Sequence, residues 1–190
     1  MQDGWDMRLS PHFTLDEFTA TWRPEAARNA ELATTGPYMS QMMRLCEDIL
    51  EPMRAAFGGQ PVRITSGFRY AEQVCGFWSG LDVAIRGSSE SRTYRPISQH
   101  TRGEAADLHV AGYDERTVWE WIWRESPNPF GQVIIEREGR HQWVHVSIPG
   151  RAVSDGRWIY GEVLDYDAAR SRGQRFHTID HVDRWGGRGR

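Results

Sequence analysis

Residues 98 to 107 read Ser98-Gln99-His100-Thr101-Arg102-Gly103-Glu104-Ala105-Ala106-Asp107, and Trp143-Val144-His145-Val146-Ser147 follows downstream. Imidazole and carboxylate are both good Zn²⁺ donors, and a turn at Gly103 can bring His100 back beside Asp107 at the start of a following strand. In the second segment the β period puts Val144, Val146 and Ile148 on one face and Trp143, His145 and Ser147 on the other. With the apolar face packed inward, His145 stands on the polar face. A set of His100, Asp107 and His145 would leave a fourth coordination position for water, as in catalytic rather than closed structural zinc sites. Considered alone, a histidine alternating with valines is better explained as a half-buried side chain with a hydrogen-bond partner, and spacing by itself does not overturn that reading.

Several elements must carry these side chains. Thr14-Leu15-Asp16-Glu17 has the form of a capping box and predicts a short helix. After Gly36-Pro37, the spacing of Met39, Met42, Met43, Cys46, Ile49, Leu50 and Met53 predicts a helix, with the methionines as core packing rather than a soft-metal site. Pro52 should bend or interrupt it near its end, and Gly58-Gly59 should stop it. Val62–Ser66 and Ala105–Val110 read as strands, and 71–97 as loop with room for a short helix. Asp114 caps an amphipathic helix through Val118, Trp119, Ile122 and Trp123 that Pro127 and Pro129 end. Gln132–Glu136 and Gln142–Ile148 flank Arg137–His141, which predicts an antiparallel hairpin with a longer turn. The fold class is α+β, with helices and a small, mostly antiparallel sheet. Residues 1–150 are expected to form the domain, and 151–190, rich in Arg, Asp and Gly, a peripheral appendage with a mobile end.

Composition narrows the function classes. The chain has 190 residues, 26 acids, 23 bases and a net charge of -3, which gives no global pull toward nucleic acid or anionic membrane. Bases and acids are interspersed, so nucleic-acid binding is a poor reading. Mean hydropathy is -0.64, and no run approaches the roughly 18 apolar residues of a membrane span. Met1 to Asp6 lacks the cationic start and apolar stretch of a secretory signal. Every base is arginine, which removes lysine Schiff-base and amine-nucleophile chemistry. Nine tryptophans would suit cores, interfaces and grooves for sugars or peptides alike. Cys46 and Cys75 form neither a CxxC pair nor a metal-type cluster, and two reduced thiols are the expectation.

The string Ser-x-His-x-x-Gly-x-Ala-x-Asp at 98–107, followed by Trp-Val-His-Val-Ser at 143–147, resembles the zinc D-alanyl-D-alanine carboxypeptidase family. That family includes phage and bacterial L-alanyl-D-glutamate endopeptidases and shares its fold with hedgehog signalling domains. Five fixed residues at fixed offsets arise by accident on the order of once per million starting positions. Ile64-Thr65-Ser66-Gly67-Phe68-Arg69 is similar to the family's Ser-Gly-Tyr-Arg segment, and Phe13-Thr14-Leu15-Asp16-Glu17-Phe18 resembles the opening of phage-type members. The likeness spans roughly residues 10 to 148, with none beyond 150.

The resemblance implies a hedgehog/DD-peptidase-like fold in which His100, Asp107 and His145 bind Zn²⁺ and Arg69 faces the substrate. A guanidinium there can hold a substrate carboxylate in bidentate fashion or stabilise a developing oxyanion. Catalysis also needs a general base. Glu136 resembles the family's glutamate that precedes the last zinc histidine across a hairpin. In phage-type members the turn is shorter; here eight residues separate Glu136 from His145, so Glu138 or His141 could hold the working position. His109 lies two residues beyond Asp107 and could neighbour the metal, although a supporting or exposed role fits better. Ser98 and Ser147 could donate hydrogen bonds to ligands, and His12, His177 and His181 should lie on the surface.

The implied activity is zinc-dependent hydrolysis of an amide bond in the peptide stem of bacterial peptidoglycan. Synthesis in the cytoplasm without a signal peptide would suit a phage lysis enzyme that reaches the wall through a membrane lesion, or a virion-carried wall-degrading enzyme. Residues 151–190 would then suit docking to virion or tail proteins. The alternative is a non-catalytic, zinc-stabilised binding or structural module, since a fold alone does not establish activity.

Overall fold

The computed structural model describes residues 7–20, 26–34, 38–69, 99–149, 160–165 and 178–181. The loop expected over 71–97, Ser98, Cys75, His177, the domain boundary near 150 and the chain's C-terminal end lie outside the described residues.

Among the described residues, five α-helices precede or interleave with six strands. They are α1 (Leu15–Thr19), α2 (Ala26–Ala33), α3 (Tyr38–Leu45), α4 (Glu51–Ala56) and α5 (Glu115–Glu125), with β1 (Val62–Ser66), β2 (Ala105–Val110), β3 (Gln132–Glu138), β4 (His141–Ser147), β5 (Tyr160–Asp165) and β6 (Thr178–His181). The strands form one sheet in the order β1-β2-β4-β3-β5-β6. Four neighbouring pairs are antiparallel; β3 and β5 run parallel. The chain is therefore α+β with a mostly antiparallel sheet, as expected. β5 and β6 come from the segment expected to be an appendage, and β3 is what joins them to the sheet.

Local sequence accounts for the element ends. The Glu17 carboxylate accepts the Thr14 backbone N–H at 2.7 Å, the returning half of the capping box. Asp114 accepts the Thr117 N–H at 2.7 Å and starts α5, and Ser126 closes it directly before Pro127. Pro52 accompanies the expected interruption, which takes the form of a change of helix type. It stands in the first turn of α4, where a missing N–H is tolerated, and the preceding Cys46–Leu50 widens into a π turn whose closing bond runs from Glu51 N–H to Cys46 O. Helical turns thus run without a gap from α3 through the proline. Met42, Cys46, Ile49, Leu50 and Met53 are fully buried, whereas Met43 is 38% exposed and falls outside the stripe.

The expected long turn between β3 and β4 is also corrected. Both strands extend to Glu138 and His141, leaving only Gly139-Arg140 between them. Gly139 has φ +58° at the first turn position, where a glycine lets a two-residue turn match the strand twist. Inward-facing Val62, Ala106, Leu108, Val110, Val133, Ile135, Val144 and Val146 join Leu45, Ile49, Leu50, Met53, Val118 and Ile122 in one apolar core. The Trp119 indole N–H, which needs a partner when buried, donates to Val133 O at 3.0 Å and fixes α5 on β3. Among the described residues no helix is long and apolar enough to cross a membrane. The opposite sheet face, bearing Asp107 and His145, remains for chemistry.

Candidate metal centre

Asp107 on β2 and His145 on β4 are directly paired residues, so their side chains leave the sheet on the same face. His100 arrives from a 3₁₀ turn, Gln99–Arg102, that ends at Gly103 in a left-handed conformation, φ +70°. An added Cβ at Gly103 would lie 2.7 Å from Tyr38 O, so the turn needs glycine for space as well as for φ. Gly103 N–H and Glu104 N–H bond back to His100 O and Gln99 O, and Ile148 N–H bonds to Glu104 O. The chain therefore reverses onto β2 at Gly103, as its position between His100 and Asp107 suggested.

The result is a triangle of donor atoms. His145 Nδ1 lies 2.8 Å from Asp107 Oδ1, His100 Nε2 lies 3.3 Å from the same oxygen, and the two imidazole nitrogens are 3.2 Å apart. Bonds of about 2.0–2.1 Å in a tetrahedral arrangement place ligand atoms about 3.3 Å from one another. The triangle thus has nearly the size a small tetrahedral cation requires. All three residues are buried, and among the described residues they are the one group of three donors able to hold a metal ion.

Hydrogen bonds behind the donors orient them. His100 Nδ1–H donates to Gly67 O at 2.7 Å, and Arg69 N–H returns a bond to His100 O at 3.3 Å. His145 Nε2 lies a long 3.5 Å from Gln99 Oε1. A proton on the outward nitrogen of each ring leaves His100 Nε2 and His145 Nδ1 as lone pairs toward the same point, the usual way a metal-binding imidazole is fixed. Arg69 Nη2 stands 3.6 Å from Asp107 Oδ2, whereas the imidazole contacts are made by Oδ1. Thr65 and Ser66 form an irregular step in β1 opposite Asp107, and the Thr65 hydroxyl donates to Asp107 O at 3.1 Å.

Burial and charge set the protonation states. Burial, with the Arg69 charge, lowers His100 from 6.5 to about 4 despite Asp107, so its imidazole is neutral at pH 7. For Asp107, burial opposes ionisation, but the charges and hydrogen bonds of His100 and His145 outweigh it and hold the carboxyl far below its usual range. Burial would likewise lower His145; the Asp107 bond and charge, with the charge of Glu136, outweigh it and raise its pKa. A cation must consequently displace a proton from His145. Below the raised His145 pKa, affinity for Zn²⁺ as probe ion is expected to fall about tenfold per pH unit, and about hundredfold per unit below pH 4, where His100 also protonates. Calorimetric titrations across pH in buffers of different ionisation enthalpy would read both slopes; a pH-independent affinity would exclude His145 as ligand.

The other expected residues are distributed as follows. Glu136 pairs with Trp143 across the hairpin, one position along the same face from the Ile134–His145 pair, and is half-buried. Glu138 and His141 pair with each other at the exposed end of the hairpin, about 7 Å further along the strands. His109 is drawn instead to Glu115, with Nδ1 2.9 Å from its carboxylate. Ser147, expected as a donor to a ligand, accepts the Gln132 N–H at 2.9 Å and secures the start of β3. His12 is half exposed and bonds Glu51 at 2.7 Å. The buried Cys46 thiol is pushed well above its ordinary pKa by desolvation, which keeps it neutral and unreactive.

Three supporting features have no expectation in the sequence: Gln99, the carbonyl of Gly67, and the backbone of Phe18 beneath it. Phe68 N–H bonds Phe18 O at 2.7 Å, and a Cβ on Gly67 would overlap that carbonyl and lie 2.7 Å from Phe18 Cα. Gly67→Ala must therefore displace the carbonyl that orients His100. It is expected to weaken Zn²⁺ binding about 10- to 100-fold, measured by competition with a chromophoric chelator; an unchanged affinity would show that this bond does not hold the ligand.

Compared with known proteins, the chain matches no family model, and no curated protein matches it.

Proposed function

We propose that this chain is a zinc-dependent peptidase that hydrolyses an amide bond in the peptide stem of bacterial peptidoglycan. The observation that carries the reading is the buried triangle of His100 Nε2, Asp107 Oδ1 and His145 Nδ1, its edges 2.8 to 3.3 Å. Two imidazoles and one carboxylate are nitrogen and oxygen donors that suit the borderline Zn²⁺ ion, and three protein ligands match the catalytic class of zinc site. Bound there, zinc would polarise the scissile carbonyl and make water acidic enough to attack near pH 7.

The remaining work belongs to the chain. Glu136, on the metal side of the sheet, takes the proton of the attacking water and returns it to the leaving amine nitrogen. Arg69 brings a partly exposed guanidinium to the edge of the ligand cluster, where it holds a substrate carboxylate or the developing oxyanion. Stem peptides, with their small D-configured residues and free carboxylates, offer both targets. The motif likeness to zinc D-alanyl-D-alanine carboxypeptidases and L-alanyl-D-glutamate endopeptidases supports this substrate and a hedgehog/DD-peptidase-like fold. In this reading the protein serves phage lysis or wall digestion by a virion, with residues 151–190 docking to virion or tail proteins.

Digestion of purified peptidoglycan, with mass analysis of the fragments, tests the proposal. New stem-peptide ends should appear, vanish with a chelator and return on adding Zn²⁺. Cleavage unchanged by chelation would refute metal-dependent hydrolysis. Stoichiometric zinc binding with no cleavage would establish the non-catalytic module instead.

A further inference from the structure

We propose that Trp143 is a positioning residue for Glu136, holding its carboxylate through the indole N–H; the inference rests on the peptidase reading above and deepens it. The two residues are direct partners across the β3–β4 hairpin, and the next pair along that face is Ile134 with His145. Trp143 Nε1 lies 2.8 Å from Glu136 Oε2, and both side chains are half-buried. Glutamate has three side-chain torsions, and a base left to sample them would spend little time facing the ligands. A rigid indole anchored on the strand that carries His145 restricts that freedom. The same strand then sets the position of both the metal ligand and the base.

The chemistry of the indole also assigns the two oxygens. Indole N–H only donates, so the oxygen it faces must remain an acceptor. When Glu136 takes a proton, Oε1 becomes the hydroxyl and Oε2 keeps the Trp143 bond as the carbonyl oxygen. Returning that proton to the amine restores the carboxylate with the bond unbroken. The carboxyl group therefore need not turn over between the two proton transfers.

Trp143→Phe keeps an aromatic ring and deletes the donor. A hydrogen bond to a charged group supports an expected fall in kcat for stem-peptide hydrolysis of roughly ten- to hundredfold. KM and zinc affinity should stay within about twofold, because no ligand contact is removed. In a Glu136→Gln background the same substitution should have almost no further effect on kcat. Independently of activity, the Trp143 indole N–H resonance of the metal-free protein should shift in Glu136→Ala. A resonance indifferent to Glu136→Ala, an unchanged kcat in Trp143→Phe, or an equal loss in the Glu136→Gln background would each overturn the role of Trp143. Absence of zinc-dependent cleavage by the wild-type chain would instead overturn the peptidase reading, and the base assignment with it.

Discussion

Asp107→Ala is expected to lower zinc affinity by at least about a hundredfold and to abolish zinc-dependent hydrolysis. Apparent binding energies of about 10–16 kcal/mol for four-ligand zinc sites correspond to about 3 kcal/mol per ligand. The effect is larger than that of an ordinary surface carboxylate because Asp107 Oδ1 meets both imidazoles while Oδ2 faces the Arg69 charge. Without the carboxylate, the interactions that raise the His145 pKa are mostly lost. Its ring should then titrate at lower pH, visible in the histidine resonances of the metal-free variant. Asp107→Asn, which keeps the shape and removes the charge, should lose zinc similarly. Retention of zinc at wild-type affinity in both variants would remove Asp107 from the ligand set.

Glu136→Gln should separate binding from chemistry. Loss of a general base lowers kcat by about 10²–10⁴-fold, whereas the triangle of ligand atoms does not include Glu136, so zinc content should be unchanged. Measuring kcat on a stem peptide alongside bound zinc distinguishes this variant from Asp107→Ala, which loses both. Undiminished cleavage in Glu136→Gln would move the base elsewhere. Glu138 and His141 are the nearest alternatives in sequence, but their pairing at the exposed end of the hairpin places them further from His145 than Glu136. Glu138→Gln is correspondingly expected to cleave normally.

Periodicity made the strands legible. Val62–Ser66 and Ala105–Val110 have the expected limits, and alternating valines fix which face of β4 carries His145. Asp114 and Pro127 mark the ends of α5 by local chemistry alone. The hairpin was harder: Arg137, Glu138 and His141 are polar and resemble loop, yet cross-strand pairing continues through them because both strands already share a register. Pro52 presented a similar ambiguity. Its missing N–H is evident in the sequence, but whether a helix kinks or widens depends on the packing of Cys46, Ile49 and Leu50 around it.

The site divides along the same line. His100, Asp107 and His145 could be proposed because donor chemistry and strand facing are local properties, and they do converge. Their supports are contacts between distant segments. That Gly67 offers a carbonyl to His100 depends on Phe18 closing the space beneath it, 49 residues away in the chain. Trp143 looked like one more residue of the His145 face; its bond to Glu136 follows only once the two-residue turn sets Glu136 opposite Trp143.

The pairing of Asp107 with His145 has a further consequence for how the chain reaches its native state. These residues are 38 positions apart, and His100 and His145 are 45 apart. A cation gripping all three would close a loop of about forty residues, much as a disulfide would, and such closures remove roughly 3–4 kcal/mol of unfolded-chain entropy in the simplest treatment. A slip of one residue between β2 and β4 would turn one of the two donors toward the core and forfeit that closure. The cation would therefore act as a proofreader of strand alignment during folding, and refolding in its absence should be slower and less faithful.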